Sequence, residues 1–321
     1  MAAIALPVDD GTAQRPMTPE VRALQQRIRA LAKARNAVIL AHIYQRLEVQ
    51  EIADFIGDSL SLSREAAQTG AQTIVFCGVH FMAETAKLLS PNKLVLLPDM
   101  KAGCGMADML TADQAIAFRA KYPGRPLVSY VNTYAEVKAE SDICCTSTNA
   151  VKVVRSLGDA EVLFAPDRFL GAYVQKHVPE KKIISWDGYC PTHFVIRPEM
   201  VKARKQLSPG ALVLAHPECA PEVLALADYV GSTQGIMDYA GASAHREFII
   251  LTEAGLLMRL QDRHPDKRFY SIAPCPHCPY MKFVELEKVL LCLQEERNAI
   301  EIPTDIMLRA RRSIERMMAL A

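Results

Sequence analysis

Two cysteines separated by two residues give the most direct chemical signal in the chain. Cys275 and Cys278 stand in the sequence PCPHCPYMK, with His277 between them and prolines that stiffen the loop. A Cys-x-x-Cys pair is typical of a redox couple or of part of a metal site, because both thiols can reach one ion or each other. The pair alone leaves both alternatives open.

Two further cysteines recur at nearly equal intervals. Cys104 and Cys190 are 86 residues apart, and Cys190 and Cys278 are 88 residues apart. Polar turns and strand ends repeat with the same step, which indicates a triplicated structural unit. The polar turns carry Ser59, Ser147 and Thr233, and the strand ends carry His42, Tyr130 and His216.

The elements that position these residues alternate along the chain. Apolar runs such as residues 37–41, 73–77 and 93–97 predict buried parallel strands, and the amphipathic segments between them predict helices, among them residues 49–56. The alternation is typical of an α/β fold. With the repeat, it predicts three homologous three-layer α/β/α domains in pseudo-threefold arrangement around a central site.

The repeat also sets the predicted domain boundaries. The predicted segments are an N-terminal tail with the start of the first helix (1–24), three α/β repeats (25–110, 111–195 and 196–281), and C-terminal helices that pack on the body (282–321). Each repeat then ends in a loop that carries one of the three equally spaced cysteines.

The three spaced cysteines favour an iron–sulfur site. Three thiolates from separate loops suit a cluster that leaves one iron without a protein ligand, whereas structural zinc normally takes four protein ligands. An open iron is a Lewis acid that can polarise a substrate oxygen for dehydration. Two rival classes of function remain: a zinc-stabilised binding protein and a thiol-disulfide oxidoreductase, each using the Cys275 and Cys278 pair.

The composition excludes some classes of binding partner. The chain has 37 basic and 36 acidic residues and no long basic run, so it lacks an electrostatic footprint for nucleic acid or an anionic membrane. No apolar run is long enough to span a bilayer, and the first residues do not resemble a signal peptide. We therefore expect a cytoplasmic protein with small-molecule ligands. Its nine cysteines fit metal ligands or core residues better than a disulfide framework.

The repeated polar residues have two interpretations. Ser59, Ser147 and Thr233 each begin a predicted helix, so they can serve as N-caps, or the helix N-termini can bind carboxylate and phosphate groups. Acid/base groups follow two of the strand ends. These groups are His42, Tyr44, His216 and Glu218.

Several ordered motifs resemble the quinolinate synthase family. The matching strings include AHIYQRLEVQEIADFIGDSL, PDMKAGCGMAD, CTSTNAV, HPEC, GSTQGI and CPHCPYMK, and they extend over about residues 25–300. The resemblance implies three α/β domains around a 4Fe-4S cluster with three cysteine ligands. It also implies condensation of iminoaspartate, supplied by L-aspartate oxidase, with dihydroxyacetone phosphate to give quinolinate, phosphate and two waters.

The resemblance assigns roles to residues of this sequence. The cluster ligands fall on Cys104, Cys190 and Cys278, and acid/base roles fall on His42, Tyr44, His216 and Glu218. Some relatives have a third cysteine where Ile272 stands here, so the resemblance does not imply thiol-disulfide regulation through that longer motif. Pairing of Cys275 with Cys278 in a cluster-free protein stays an open alternative. The implied substrate-site residues are His42, Tyr44, Ser59, Tyr130, Asn132, Ser147, His216, Glu218 and Thr233.

Overall fold

Three four-stranded parallel sheets organise the part of the chain that the computed structural model describes, residues 17–320. The strands are β1 (Ala37–His42), β2 (Phe55–Gly57), β3 (Thr73–Cys77), β4 (Leu94–Leu96), β5 (Leu127–Tyr130), β6 (Ile143–Cys145), β7 (Glu161–Ala165), β8 (Lys182–Ser185), β9 (Leu212–Ala215), β10 (Tyr229–Val230), β11 (Glu247–Leu251) and β12 (Arg268–Tyr270). The sheet orders are β2-β1-β3-β4, β6-β5-β7-β8 and β10-β9-β11-β12. The predicted α/β fold with three homologous units is therefore confirmed.

Helices connect the strands and complete the layers. They are α1 (Pro19–Ala34), α2 (Leu47–Gln50), α3 (Ser59–Gln68), α4 (His80–Leu89), α5 (Ala112–Lys121), α6 (Ala135–Ala139), α7 (Ala150–Ser156), α8 (Arg168–His177), α9 (Pro191–Phe194), α10 (Pro198–Leu207), α11 (Pro221–Leu224), α12 (Thr233–Ala242), α13 (Ala254–Arg263), α14 (Leu286–Glu295) and α15 (Thr304–Ala319). No described helix is long and apolar enough to cross a membrane. The predicted tail at residues 1–16 lies outside the described residues.

The prediction missed one strand in every repeat. The single helix predicted at residues 49–56 is wrong: α2 ends at Gln50, and β2 follows as an edge strand beside β1. The equivalent strands β6 and β10 also have only two or three residues. Segments this short show no hydrophobic period, so only their pairing with a longer neighbour stabilises them as strands.

Each sheet anchors its first strand with an aspartate. The carboxylate stands just before the short edge strand and accepts a hydrogen bond from a backbone N–H of the long central strand. The edge strand is too short to pair with this N–H. The three pairs are Asp54 with Ile39, Asp142 with Leu127 and Asp228 with Val213, at 2.8, 2.7 and 2.7 Å. The aspartates are 88 and 86 residues apart, so the repeat extends to individual hydrogen bonds.

A lysine closes the C-terminal end of one helix in each repeat. The ammonium groups of Lys93, Lys181 and Lys267 donate to carbonyl oxygens at the ends of α3, α7 and α12. A cation there interacts favourably with the helix dipole and satisfies carbonyls that lack partners within the helix. Lys267 contacts three such carbonyls, those of Ala240, Gly241 and Ser243.

The two last helices pack on the first two sheets. Helix α14 lies against α1 and shares an apolar cluster with β1 and β3 that includes Cys77 and Cys292. Helix α15 packs on α6, and Ser313 links it there by donating to the Lys138 carbonyl at 2.9 Å and accepting from the Cys144 thiol at 3.3 Å. Both helices therefore pack against the body of the protein.

Candidate active site

A cavity lies where loops from the three sheets meet, and its lining combines apolar side chains with several polar ones. Small-molecule sites commonly have such a lining. All twelve residues that the sequence put forward contribute to its lining. They are His42, Tyr44, Ser59, Cys104, Tyr130, Asn132, Ser147, Cys190, His216, Glu218, Thr233 and Cys278. The strand ends bring them together because parallel sheets gather their loops at one edge.

One hydrogen bond recurs in all three cysteine loops. The first residue of the helix that follows the third strand of each repeat donates its N–H to the carbonyl two residues before the cysteine. The pairs are His80 with Ala102, Arg168 with Gly188 and Ala254 with Pro276, at 2.7, 2.9 and 2.9 Å. Each cysteine is thus carried by a loop that is fixed to its own sheet in the same way.

Each of these cysteines also precedes one turn of helix. Cys190 stands at the N-cap of α9, and Cys104 and Cys278 precede 3₁₀ turns at Ala107–Met109 and Tyr280–Phe283. Backbone N–H groups of the turns, such as those of Ala107, His193 and Met281, approach the sulfurs and favour thiolate. Each sulfur therefore lies near backbone N–H groups at the start of a helical turn, which can donate hydrogen bonds to it.

Burial acts in the opposite direction on the thiols. It raises the pKa of Cys104 to about 12 and that of Cys278 to about 11, and it also raises the pKa of Cys190 well above its usual value. Each of these thiolates would disfavour the others. A cationic metal centre would offset both the burial and the mutual repulsion of the thiolates, because metal ions bind the deprotonated form of cysteine. Three sulfurs with N–H donors and no fourth thiol from the cavity lining fit a cluster with three protein ligands.

Cys275 does not share this environment. It is absent from the cavity lining, and its sulfur accepts a hydrogen bond from the Ser271 hydroxyl at 2.9 Å. The neighbouring cysteines of the Cys-x-x-Cys sequence therefore have different surroundings: Cys278 lines the cavity and Cys275 does not.

Glu218 is the centre of a buried polar network. Its Oε1 accepts a hydrogen bond from the Tyr130 hydroxyl at 2.6 Å, and its Oε2 lies 2.8 Å from His193 Nδ1. Burial alone would raise the pKa of Glu218, but His193, His216 and these hydrogen bonds outweigh burial and lower it. Glu218 is thus a carboxylate at neutral pH, and both of its oxygens accept hydrogen bonds.

The network continues to the first sheet through hydroxyl groups. His193 Nε2 lies 2.8 Å from the Thr252 hydroxyl, which lies 2.8 Å from the Tyr44 hydroxyl, and Tyr44 lies 2.8 Å from Thr233. Burial raises the pKa of Tyr44 well above its usual value, so this phenol stays protonated. The hydrogen-bonded groups run from Tyr130 in the second repeat to Tyr44 in the first.

Two histidines at equivalent repeat positions line the cavity as neutral rings. Burial lowers the pKa of His42 to about 4 and that of His216 to about 3. His42 Nδ1 accepts the Tyr44 N–H at 3.1 Å, and His216 Nδ1 accepts the Glu218 N–H at 3.4 Å. The ring proton of each is therefore on Nε2, since the neutral ring carries only one.

The structure contradicts the interpretation of the three polar-turn residues as helix N-caps. Ser59 and Thr233 are the first residues of α3 and α12, and the side chains of Asp58 and Ser232 make the N-cap hydrogen bonds instead. Ser147 lies in the turn before α7, whose N-cap position is Asn149. The three residues are not N-caps.

Asn132 offers one more polar group. Its Oδ1 is buried and has no hydrogen-bond partner among the described residues. A buried amide oxygen without a partner costs free energy unless a ligand or water satisfies it. Since Asn132 lines the cavity, this atom is placed to accept a hydrogen bond from a ligand.

Three buried residues of the cavity lining were not among the predicted site residues. His193, Asp58 and Glu253 all line the cavity, and all three are buried. His193 follows Cys190 by three residues, and this spacing could have indicated that its side chain lies near the Cys190 sulfur. Its ligand atom lies within 4.8 Å of those of Cys190 and Glu218, a group that could hold a metal ion, although the three already satisfy one another by hydrogen bonds.

Comparisons with known proteins found a matching family and similar proteins over most of the chain. A sequence-family profile described as Quinolinate synthetase A protein matches residues 26–319. A protein from Pelobacter propionicus named quinolinate synthase is 54% identical, over 92% of this chain and 97% of its own length. Proteins of the same name from a Geobacter species and from Thermodesulfovibrio yellowstonii are 53% and 52% identical, over 95% and 92% of this chain and 99% and 97% of their own lengths.

Proposed function

The chain belongs to the quinolinate synthetase A protein family, and we propose that it condenses iminoaspartate with dihydroxyacetone phosphate to form quinolinate, phosphate and two waters. The observation that carries the proposal is the cavity where three equivalent cysteine loops meet the Glu218 network. Relatives with more than half of their residues identical, over almost their full length, bear the name quinolinate synthase.

Cys104, Cys190 and Cys278 would hold a 4Fe-4S cluster. The donor set supports this, because three half-buried cysteines whose sulfurs lie near backbone N–H groups stand on equivalent loops. When bound, the cluster supplies an iron without a protein ligand that acts as a Lewis acid in dehydration. Cys275 takes no part in this assignment.

Substrate anions would be bound without lysine or arginine. No residue of either type is among the lining residues of the cavity. The available groups are hydroxyls and N–H groups: Ser59 and Thr233 begin two ten-residue helices, and Ser147 lies in the turn before a third. Helix N-termini stabilise carboxylate and phosphate through free N–H groups and the dipole.

Proton transfers would use the network around Glu218. The carboxylate accepts a proton from substrate, with Tyr130 and His193 holding its two oxygens in place. Tyr44 is a protonated phenol that can donate, and Thr233 and Thr252 fix its hydroxyl. His42 and His216 are neutral and present Nε2–H groups, which can polarise a carbonyl without adding a full charge.

The biological setting follows from the same proposal. We expect a cytoplasmic enzyme that receives unstable iminoaspartate from L-aspartate oxidase, with transient contact between the two. The domain boundaries 25–110, 111–195 and 196–281, with the helical segment 282–321, also stay predictions.

Anaerobic reconstitution with iron and sulfide tests the cofactor assignment. The proposal expects a brown protein with about four iron and four sulfide per chain, and loss of the cluster in Cys104→Ser, Cys190→Ser and Cys278→Ser. A colourless protein after reconstitution contradicts it. Bound zinc without iron and sulfide would instead favour a zinc-stabilised binding protein.

A further inference from the structure

Glu253 is a buried carboxylate that contacts the third cysteine loop. It is fully buried and stands at the N-cap of α13, where its Oε2 accepts the Gly255 N–H at 2.6 Å. Its Oε1 accepts the backbone N–H of Cys278 at 3.2 Å. One side chain therefore joins the helix after β11 to the residue that carries the cavity-lining sulfur.

Lys282 pairs with this carboxylate and reaches the first repeat. Its Nζ lies 2.9 Å from Glu253 Oε1 and also donates to the Tyr44 carbonyl. Its own carbonyl accepts a hydrogen bond from Arg46 Nε at 3.1 Å. The pair thus ties the Cys278 loop to the segment that carries Tyr44.

The packing around this pair leaves little freedom. A Cβ at Gly255 would lie 2.8 Å from the Ile43 carbonyl oxygen and 2.8 Å from the Tyr44 Cα, so α13 begins directly against that segment. His277 Nδ1 lies 4.0 Å from Glu253 Oε1 and adds a further polar neighbour. The pair therefore has close neighbours in both the Cys278 loop and the Tyr44 segment.

The repeat shows that this arrangement is specialised. The residues equivalent to Glu253 are Asp167 and Val79, each at the N-cap after the third strand of its repeat. The Asp167 carboxylate also lies near the N–H of its own cysteine, Cys190, although its Oδ2 makes no hydrogen bond of ordinary geometry among the described residues. Val79 makes no cap hydrogen bond. An acid thus faces the cysteine loop in two repeats, and of these acids Glu253 has the lysine partner.

We propose that Glu253, held by Lys282, is a positioning residue that fixes the Cys278 loop for cluster binding and couples it to the Tyr44 segment. This inference rests on the cluster assignment of the proposed function. Groups that orient metal ligands without touching the metal commonly change metal retention by 10–100-fold when mutated. Removal of one partner from a buried ion pair also leaves the other charge without compensation, whereas removal of both does not.

The test compares cluster retention in matched variants. Wild type, Glu253→Gln, Lys282→Met, the double variant and Lys282→Arg are reconstituted anaerobically, and iron and sulfide are counted. The rate of cluster loss to a chelator is then followed by visible absorbance. Lys288→Met is the matched control, because Lys288 pairs with Asp99 and Glu285 and does not line the cavity. Thermal unfolding of the cluster-free proteins verifies that each is folded.

We expect roughly tenfold faster cluster loss in Glu253→Gln and in Lys282→Met, and wild-type rates in Lys282→Arg and Lys288→Met. The double variant should lose its cluster more slowly than the product of the two single effects predicts, because the pair acts as a unit. If Glu253→Gln does not fold, Glu253→Asp serves instead, since it keeps the charge and shortens the reach to Cys278.

Three results would overturn the inference. One is a wild-type rate of cluster loss in the single variants, and another is two single effects that multiply in the double variant. The third is an equal acceleration in Lys288→Met, which would indicate a general effect of removing a lysine. A wild-type chain that binds no iron and sulfide would contradict the proposed function itself and, with it, this inference.

Discussion

Replacement of Glu218 by glutamine removes one charge from the centre of the cavity and keeps the shape of the side chain. Glutamine retains one oxygen that can accept the Tyr130 hydroxyl, but it has no second acceptor for His193. The proton acceptor is lost, and general-base catalysis typically contributes about 10²–10⁴-fold. We therefore expect kcat/KM to fall by about that factor, which corresponds to about 3–5 kcal/mol of transition-state stabilisation.

The assay is anaerobic formation of quinolinate by cluster-loaded protein, with iron content measured in parallel. Tyr130→Phe is an informative partner variant, because it removes one hydrogen bond to Glu218 and leaves the charge, so its loss should be smaller. Glu247→Gln is the control, since Glu247 lies on β11 outside the cavity lining and should retain activity. A Glu218→Gln enzyme within threefold of wild type would refute the assignment of Glu218 as the base.

Three further predictions concern the thiols, the buried histidines and the repeated lysines. Cys275→Ser should retain wild-type iron and sulfide because Cys275 does not line the cavity, whereas Cys278→Ser should lose them; equal loss in both would favour a two-thiol site. As the pH is lowered from 6.5 to about 4, the unfolded chain binds a proton at His42 that the folded chain does not, so this group alone should decrease the free energy of unfolding by up to about 3 kcal/mol. Denaturant titrations should show a weaker pH dependence in His42→Gln, and an unchanged dependence would contradict a buried neutral ring. Lys267→Met should lower the free energy of unfolding by about 2 kcal/mol, because it leaves three helix-end carbonyls without their donor; Lys182→Met, at an exposed lysine, should change it by less than about 0.5 kcal/mol.

The repeat made much of this fold predictable from the sequence. Long central strands such as β1 and β3 are mostly apolar, and the spacing of Cys104, Cys190 and Cys278 marked equivalent loops. Parallel sheets gather loops at one edge, so residues far apart in sequence could be expected around one cavity.

Short and isolated features were harder to find. The edge strands β2, β6 and β10 depend on pairing with a central strand and carry no pattern of their own. The positions equivalent to His193 hold Ala107 and Met281, and those equivalent to Glu253 hold Asp167 and Val79. Neither residue type repeats in all three units, so the spacing did not single these residues out. Their importance follows from contacts with Glu218 and with the Cys278 backbone, which only the tertiary structure brings together.

The aspartates that anchor the first strands could have been found from the same repeat spacing. Asp54, Asp142 and Asp228 recur with steps of 88 and 86 residues, as the cysteines do in the reverse order. Their function could not be read from spacing, because it depends on the N–H that each short edge strand leaves unpaired.

The most direct test of the central claim is an anaerobic assay of the cluster-loaded protein with iminoaspartate and dihydroxyacetone phosphate. The account predicts quinolinate formation with release of one phosphate for each product molecule, and none from Cys190→Ser protein. Protein that carries its full complement of iron and sulfide but forms no quinolinate from these two substrates would contradict it.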